Sequence, residues 1–174
     1  MPVDELSDPR RVHPPLIAGE REMLEAWLDF HRVTLLLKCD GLSDADRKRR
    51  PVESSLMSLH GLVRHMADVE RGWFQRTLAG RRDEAKSRFC TKEHPDGDFE
   101  FASDGDWAED LRAWEEECEA SRATAAKYQL DDTGTAWDND VSLRWIYVHM
   151  IEEYARHNGH ADLIREMIDG AVGD

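Results

Sequence analysis

The sequence predicts an all-α protein, an antiparallel four-helix bundle that forms one domain over residues 1–174. Apolar residues recur at three- and four-residue steps over four long stretches, which is the period of an amphipathic α-helix. The six prolines leave residues 16–50, 52–94 and 96–174 free to be helical. No stretch shows the alternation rich in Val, Ile and Thr that is typical of strands, so no sheet is expected.

The first two helices are predicted over residues 19–39 and 58–78, after an irregular segment at 1–14. Gly41 ends the first helix, Ser58 is a good N-cap for the second, and Gly80 lies just beyond its end. The two apolar stripes consist of Leu16, Met23, Leu24, Trp27, Leu28, Val33, Leu35 and Leu36, and of Leu59, Leu62, Met66, Val69 and Trp73.

Residues 81–102 are predicted to form a long loop, because they combine Arg81-Arg82, Pro95 and Gly97 with scattered charges. The third helix is expected over residues 103–128 and the fourth over 142–169, where Gly170 closes it. Their inward positions are Trp107, Leu111, Trp114 and Cys118 in the third helix, and Ile146, Met150, Ile164 and Ile168 in the fourth.

Charge and composition exclude several functions. Lys plus Arg is 23 and Asp plus Glu is 37, so the formal net charge is 23 − 37 = −14. The electric field of a protein with this negative charge repels the phosphates of nucleic acids. No apolar run reaches the roughly 18 residues of a membrane span, and the N-terminus lacks the apolar region of a secretory signal. Three cysteines without C-x-x-C spacing indicate a reduced, cytoplasmic compartment. A homodimer is compatible with a short bundle.

The fourth helix carries polar residues on its apolar side. On a helical wheel, His149, Glu153, His157 and His160 fall in the same sector as the apolar stripe. A carboxylate there is costly to desolvate unless a charged group meets it. Glu153 and His157 are four residues apart, so their side chains converge as a pair that can bind a divalent metal.

The second helix offers a third ligand for the same site. His65 lies on its inward face, whereas His60 falls about 140° away on the wheel and is expected to be partly solvated. Three protein ligands with open positions are typical of a catalytic site, and the nitrogen and oxygen donors suit Zn²⁺, with Ni²⁺, Fe²⁺ or Mn²⁺ also compatible. From spacing alone, a buried Glu153–His65 ion pair with His157 in the core is equally compatible.

Two motifs carry a family resemblance. LVRHMADVERGWF at 62–74 resembles the second helix of the DinB-like metal-binding bundles, and EEYARHNGHAD at 152–162 resembles their fourth. Many members have H-x-x-x-H on that last helix, and here Glu153 takes the place of the first histidine. The Glu variant is similar to the metal-binding domain of mycothiol-dependent maleylpyruvate isomerase and related thiol-dependent transferases. The resemblance covers residues 16–170 and implies the metal ligands His65, Glu153 and His157.

The resemblance also implies a function. It points to a metal-dependent transferase that activates a low-molecular-weight thiol, mycothiol, against an electrophilic small molecule. Gly159 would let the ligand approach closely, and His149 and His160 would be hydrogen-bonding groups or proton carriers, with plain lining of the cavity as the alternative. Asp68 lies three residues after His65, where an acid is more often a solvated helix residue than a partner that orients the imidazole. The isomerase has a further C-terminal domain, so maleylpyruvate isomerisation itself is not expected.

Two other functions stay open. The same centre could hold a metal-bound water in a hydrolase, or the bundle could bind metal without catalysis. The remaining aromatic and charged residues are expected to be structural. Most tryptophans are predicted to be core residues, Trp137 to cover one end of the bundle, Glu115–Glu117 to be solvated, and Arg81-Arg82 to cap a helix or clamp an anion.

Overall fold

The computed structural model describes residues 8–173, and in them the chain is mostly helical. The all-α prediction is confirmed at this level, except for one small sheet. The elements in chain order are α1 (Glu20–Cys39), α2 (Asp44–Arg47), α3 (Leu59–Glu70) with a π-helical continuation (Arg71–Leu78), α4 (Gly97–Glu100), α5 (Trp107–Ala125), β1 (Thr133–Ala136), β2 (Asn139–Ser142) and α6 (Leu143–Asp169). Residues 8–19 have no regular secondary structure, which includes positions 8–14 of the segment predicted to be irregular, and positions 1–7 of that segment lie outside the described residues.

The predicted helix boundaries match those of the long helices because the capping residues set them. The hydroxyls of Ser58 and Ser142 accept hydrogen bonds from the backbone N–H of Gly61 at 3.0 Å and of Trp145 at 3.2 Å. Gly170, at φ +81°, ends α6 in the left-handed conformation that glycine adopts without cost. The helices at 19–39, 58–78 and 142–169 are therefore confirmed within a residue or two, and the third is shorter than the predicted 103–128.

The second helix is not one α-helix. After Glu70 it continues to Leu78 with the wider π-helical hydrogen-bond pattern. A π-helix changes the angle between successive side chains, so residues after Glu70 point in directions that a 3.6-residue wheel does not give. Such segments occur frequently at functional sites.

The prediction that the chain has no sheet is wrong. β1 and β2 pair antiparallel from Thr133 opposite Ser142 to Ala136 opposite Asn139. The strands are only four residues long and lack an alternating apolar pattern, so no strand signal is visible in the sequence. Their place is set by close packing instead, since Gly134 lies directly against the backbone of the π-helical segment.

One hydrophobic core joins the long helices. The helix α1 packs against α6, α3 packs against both α5 and α6, and the π-helical segment packs against α5. The largest fully buried apolar side chains are Leu28, Leu35, Leu59, Leu62, Met66, Phe74, Leu143, Ile146, Met150, Tyr154 and Ile164. None of the helices within residues 8–173 is long and apolar enough to cross a membrane.

The core also contains charged groups. The guanidinium of Arg32 donates to both carboxylate oxygens of Glu70, at 2.7 and 2.8 Å, and both side chains are buried. Tyr154 donates its hydroxyl to the same carboxylate at 2.8 Å, and Trp114 donates to Tyr154 at 2.9 Å. His60, expected to be partly solvated, is fully buried, and its Nε2 donates to Asp110 at 2.8 Å.

The predicted burial of two tryptophans and the predicted exposure of one glutamate are wrong. Trp114 is a core residue, but Trp27 and Trp145 are each 41% exposed. Trp145 packs against Trp73 and His149 instead. Glu117 is buried rather than solvated, since Arg71 and Arg88 donate to its carboxylate at 2.7 and 2.6 Å.

Candidate metal centre and adjoining cleft

Three side chains from α3 and α6 converge at the surface of the core. His65, Glu153 and His157 each offer one donor atom, and these three atoms lie within 4.8 Å of one another. Oε2 of Glu153 is 3.4 Å from Nε2 of His157, and the rings of His65 and His157 are 4.7 Å apart between centroids. All three side chains are partly exposed. The structure therefore brings together the three residues that the sequence analysis selected as metal ligands.

The orientation of His65 is set by Asp98, which lies next to Phe99 in α4. The Nδ1–H of His65 donates to Oδ2 of Asp98 at 2.7 Å, and the imidazole stacks on Phe99 at 5.2 Å between centroids. The other candidate for this role, Asp68, does not contact His65. Its carboxylate accepts instead from the Ser87 hydroxyl and from backbone N–H groups of residues 88–90, which fixes the start of the loop.

Glu153 is held in its ionised form by imidazoles on both sides. The hydrogen bond from His157 lowers the pKa of Glu153, and the nearby His149 acts in the same direction. Nε2 of His149 is 3.4 Å from Oε1 of Glu153, and its ring stacks on Trp145. His149, Glu152 and Glu153 thus form a second group of potential ligands that shares Glu153 with the first. Glu153 pairs with His157 and His149 while His65 pairs with Asp98, so the ion pair between Glu153 and His65 is not formed.

The two other residues proposed from the sequence lie near the centre. Nδ1 of His160 is 3.4 Å from Nδ1 of His157, and partial burial lowers the pKa of His160, with His157 and Arg156 adding to the effect. Gly159 is exposed, and a Cβ built on it meets no atom within 4 Å. No protein contact therefore requires glycine there, and its role toward a ligand stays a prediction.

This donor set fits a divalent cation chemically. Two imidazoles and one carboxylate are ligands that Zn²⁺ accepts, and three protein donors leave positions open for a substrate. A carboxylate that is already ionised needs no proton loss before it binds a cation. The Asp98–His65 contact matches the carboxylate–imidazole pair that commonly fixes the tautomer of a metal-ligating histidine.

A cleft of about 550 Å³ opens beside His65 and Asp98. Its walls come from the π-helical segment, the 81–102 loop and the β-hairpin. Its lining includes the side chains of Asp68, Trp73, Arg76, Arg82, Cys90, Asp96 and Trp137. A volume of this size is typical of a pocket for a small organic molecule.

A family model described as MST, mycothiol-S-transferase, matches residues 23–170, which is most of the chain. The chain belongs to the mycothiol-S-transferase family. The resemblance to DinB-like, mycothiol-related proteins is thereby confirmed. Among curated proteins, no relative matches this chain.

Membership of the mycothiol-S-transferase family fits a centre that opens on a cleft, because a thiol and a second substrate must meet at one place. Asp98 was not predicted as part of this arrangement, and Trp137 was expected to cover one end of the bundle rather than to line a cleft, because segments without a periodic pattern carry both residues. Of Arg81-Arg82, only Arg82 lines the cleft, and its guanidinium donates to the carbonyl of Thr135 at 2.8 Å, while Arg81 donates to Gln75 at 3.1 Å.

Proposed function

We propose that the protein is a metal-dependent transferase that joins mycothiol to an electrophilic small molecule. In this proposal His65, Glu153 and His157 hold one divalent cation, for which Zn²⁺ suits the donors best. The observation that carries the proposal is the convergence of these three donors at the edge of the cleft, in a chain of the mycothiol-S-transferase family. An antiparallel four-helix bundle of α1, the α3 segment, α5 and α6 would support the centre.

The chain's own residues prepare the centre in three ways. Asp98 holds the Nδ1 proton of His65 and leaves the other ring nitrogen for the cation. His157 and His149 keep Glu153 ionised. The cleft beside His65 places the body of the thiol and the second substrate next to each other, which replaces a random encounter with a fixed alignment. A bound divalent cation would lower the pKa of the thiol that reaches it.

The reaction forms one bond between the thiol sulphur and the electrophilic carbon. In a substitution the S–H bond and the bond to the leaving group break, so the chain must accept one proton. We assign this proton to His160, because its partly exposed imidazole lies next to the candidate ligand His157, with 3.4 Å between their Nδ1 atoms. His149, which contacts Glu153, is a positioning residue in this scheme.

A measurement of metal content tests whether His65 is a ligand of a bound cation. Mass spectrometry on untagged protein should find about one divalent ion per chain in the wild type and a loss of that ion in His65→Ala. His94→Ala is the matched control, since His94 is exposed and its side chain contacts Glu100 and Phe101 rather than the candidate ligands. Equal metal content in wild type and His65→Ala would overturn the ligand assignment.

The dependence of product formation on an added thiol distinguishes a transferase from a hydrolase and from a metal-binding bundle without catalysis. With 1-chloro-2,4-dinitrobenzene as the electrophile, the wild type should form the mycothiol conjugate and release chloride, and His65→Ala should not. Hydrolysis of an ester without added thiol would favour a hydrolase instead. Loss of helix content on chelation, with no turnover of either kind, would favour a metal-binding bundle without catalysis.

A further inference from the structure

The turn of the β-hairpin holds an aromatic residue in an unfavourable backbone conformation. Trp137 and Asp138 form the two-residue loop between β1 and β2, with φ of +48° and +62°. A loop with positive φ at both positions normally has Asn-Gly or Asp-Gly, because a bulky side chain there is strained. Strained residues of this kind persist where the surrounding structure holds them, and they cluster at ligand sites.

The structure holds the hairpin firmly against the π-helical segment. Gly134 packs so closely that a Cβ there would collide with the carbonyl oxygen of Thr77 and would lie 2.7 Å from the Cα of Leu78. Arg82 ties the same strand to the cleft wall through the carbonyl of Thr135. The turn is therefore fixed at one end of the cleft, and Trp137 is placed there by β1 rather than by a hydrophobic core.

Trp137 is exposed although its indole is apolar. It has 71% of its surface accessible, and it lies among the residues that line the cleft. Its ring meets Trp73 edge-on at 5.4 Å between centroids, so the two indoles form an aromatic corner at that end of the cleft. An accessible, rigid aromatic surface on a cleft wall is suited to contact with the flat face of a ring.

The polar groups of the cleft favour a neutral partner with many hydroxyls. Two guanidinium groups, Arg76 and Arg82, share the cleft with three carboxylates, Asp68, Asp96 and Asp98. The cleft therefore has no excess of positive charge, which argues against a site built for an anion. Donors and acceptors beside an aromatic corner instead match a cyclic polyol, whose hydroxyls need both and whose C–H faces pack on indole.

We propose that Trp137 is a specificity-determining residue that binds the cyclic polyol part of the thiol substrate. This inference rests on the proposed function in one respect, namely that the thiol is mycothiol, whose cysteinyl thiol is attached to a sugar–cyclitol pair. The thiol end lies toward His65 and Asp98, and the polyol end lies against the indole of Trp137. The strain in the turn is the cost of presenting that indole to the ligand.

The test compares a thiol that carries the polyol with one that lacks it. Trp137→Asn removes the indole and places at this position a residue that tolerates positive φ, so the hairpin should remain folded. We expect kcat/KM for mycothiol to fall about tenfold while that for N-acetylcysteine stays within about twofold, since one aromatic contact is worth a factor of this order. Trp137→Phe should retain part of the preference. Trp27→Ala, an exposed tryptophan on α1, is the control.

Binding of the thiol-free glucosaminyl-inositol fragment, measured by calorimetry, does not require catalysis. Fragment binding that weakens in Trp137→Asn but not in Trp27→Ala supports the inference even if no thiol transfer is found. Normal mycothiol transfer with an unchanged ratio of the two thiols in Trp137→Asn would overturn the inference and leave the proposed function intact. A melting temperature within a few degrees of the wild type shows that the variant is folded.

Discussion

Asp98 accepts a hydrogen bond from Nδ1 of His65 at 2.7 Å, and this contact joins the long connection before α5 to the helix that carries His65. Because a carboxylate only accepts, the proton of His65 lies on Nδ1, and the lone pair of Nε2 is available to a cation. Asp98 is buried, so water competes weakly for the contact. The 81–102 segment is therefore part of the candidate metal centre.

Asp98→Asn tests this contact. An amide keeps the shape of the side chain but weakens the hold on the Nδ1 proton, so the affinity for Zn²⁺ should fall about 10- to 100-fold. The measurement is a competition with a chelator of known affinity. Asp104→Asn is the control, because Asp104 is exposed and its carboxylate contacts Ser103. An unchanged affinity for Zn²⁺ in Asp98→Asn would show that Asp98 stabilises the loop and does not contribute to the metal centre.

Helical periodicity placed His65, Glu153 and His157 on inward helix faces, and the family resemblance then favoured metal ligands over an ion pair. The three- and four-residue steps gave the inward face of α6, and the spacing of Glu153 and His157 placed both on it. Asp98 could not be predicted in this way, since 33 positions separate it from His65 and the path of the connection decides their contact. Asp68, the acid nearest to His65 in sequence for which this role was considered, accepts hydrogen bonds from residues 87–90 instead.

The hairpin was missed for a different physical reason. Its strands are too short to show alternation, and its position depends on a close approach between Gly134 and the π-helical segment. A buried charge pair such as Arg32–Glu70 likewise has no signature in sequence, because its members are 38 positions apart on different helices. Contacts between elements, rather than the elements themselves, limited the prediction.

Gly159→Ala tests whether glycine is needed at this position for protein packing or for the approach of a ligand. Glycine within a helix costs about 0.5–1 kcal/mol relative to alanine, and no atom lies within 4 Å of the added Cβ. The variant should therefore raise the free energy of unfolding by that amount in a urea titration, with metal content unchanged. If Gly159 admits the thiol, KM for mycothiol rises at the same time. An alanine variant that is less stable than the wild type would contradict the observed packing.

Glu70→Gln tests the buried charge pair in the core. The substitution removes the buried carboxylate from the guanidinium of Arg32, which then still contacts the half-exposed Asp29, and breaking a buried pair typically costs about 3–5 kcal/mol. A loss of at least about 3 kcal/mol in the free energy of unfolding is expected from chemical denaturation. Glu119→Gln is the control, since the exposed Glu119–Arg122 pair should contribute less than about 1 kcal/mol. Similar small losses in both variants would show that the contact with Asp29 is enough to stabilise Arg32.

The pH dependence of the alkylation rate of Cys90 is a probe of the cleft. It lines the cleft and is partly exposed, whereas Cys39 and Cys118 are buried, so alkylation should report on Cys90 alone. Burial raises the pKa of Cys90 to about 11. Only the thiolate reacts, and at pH 8 it is about one part in a thousand of this thiol, against about one part in ten for a thiol of pKa 9. The iodoacetamide rate should therefore rise about tenfold per pH unit from pH 8 to pH 10.

Cys90→Ser is the control for this measurement and should abolish the labelling. A rate that levels off near pH 9 would show that the thiol is more solvated than the structure indicates. At a fixed pH, S-methyl mycothiol should slow the labelling of the wild type if the thiol occupies this cleft, because Cys90 then lies beneath the ligand. Full reactivity at a saturating concentration of that conjugate would place the thiol elsewhere, and it would do so without relying on turnover or on the metal.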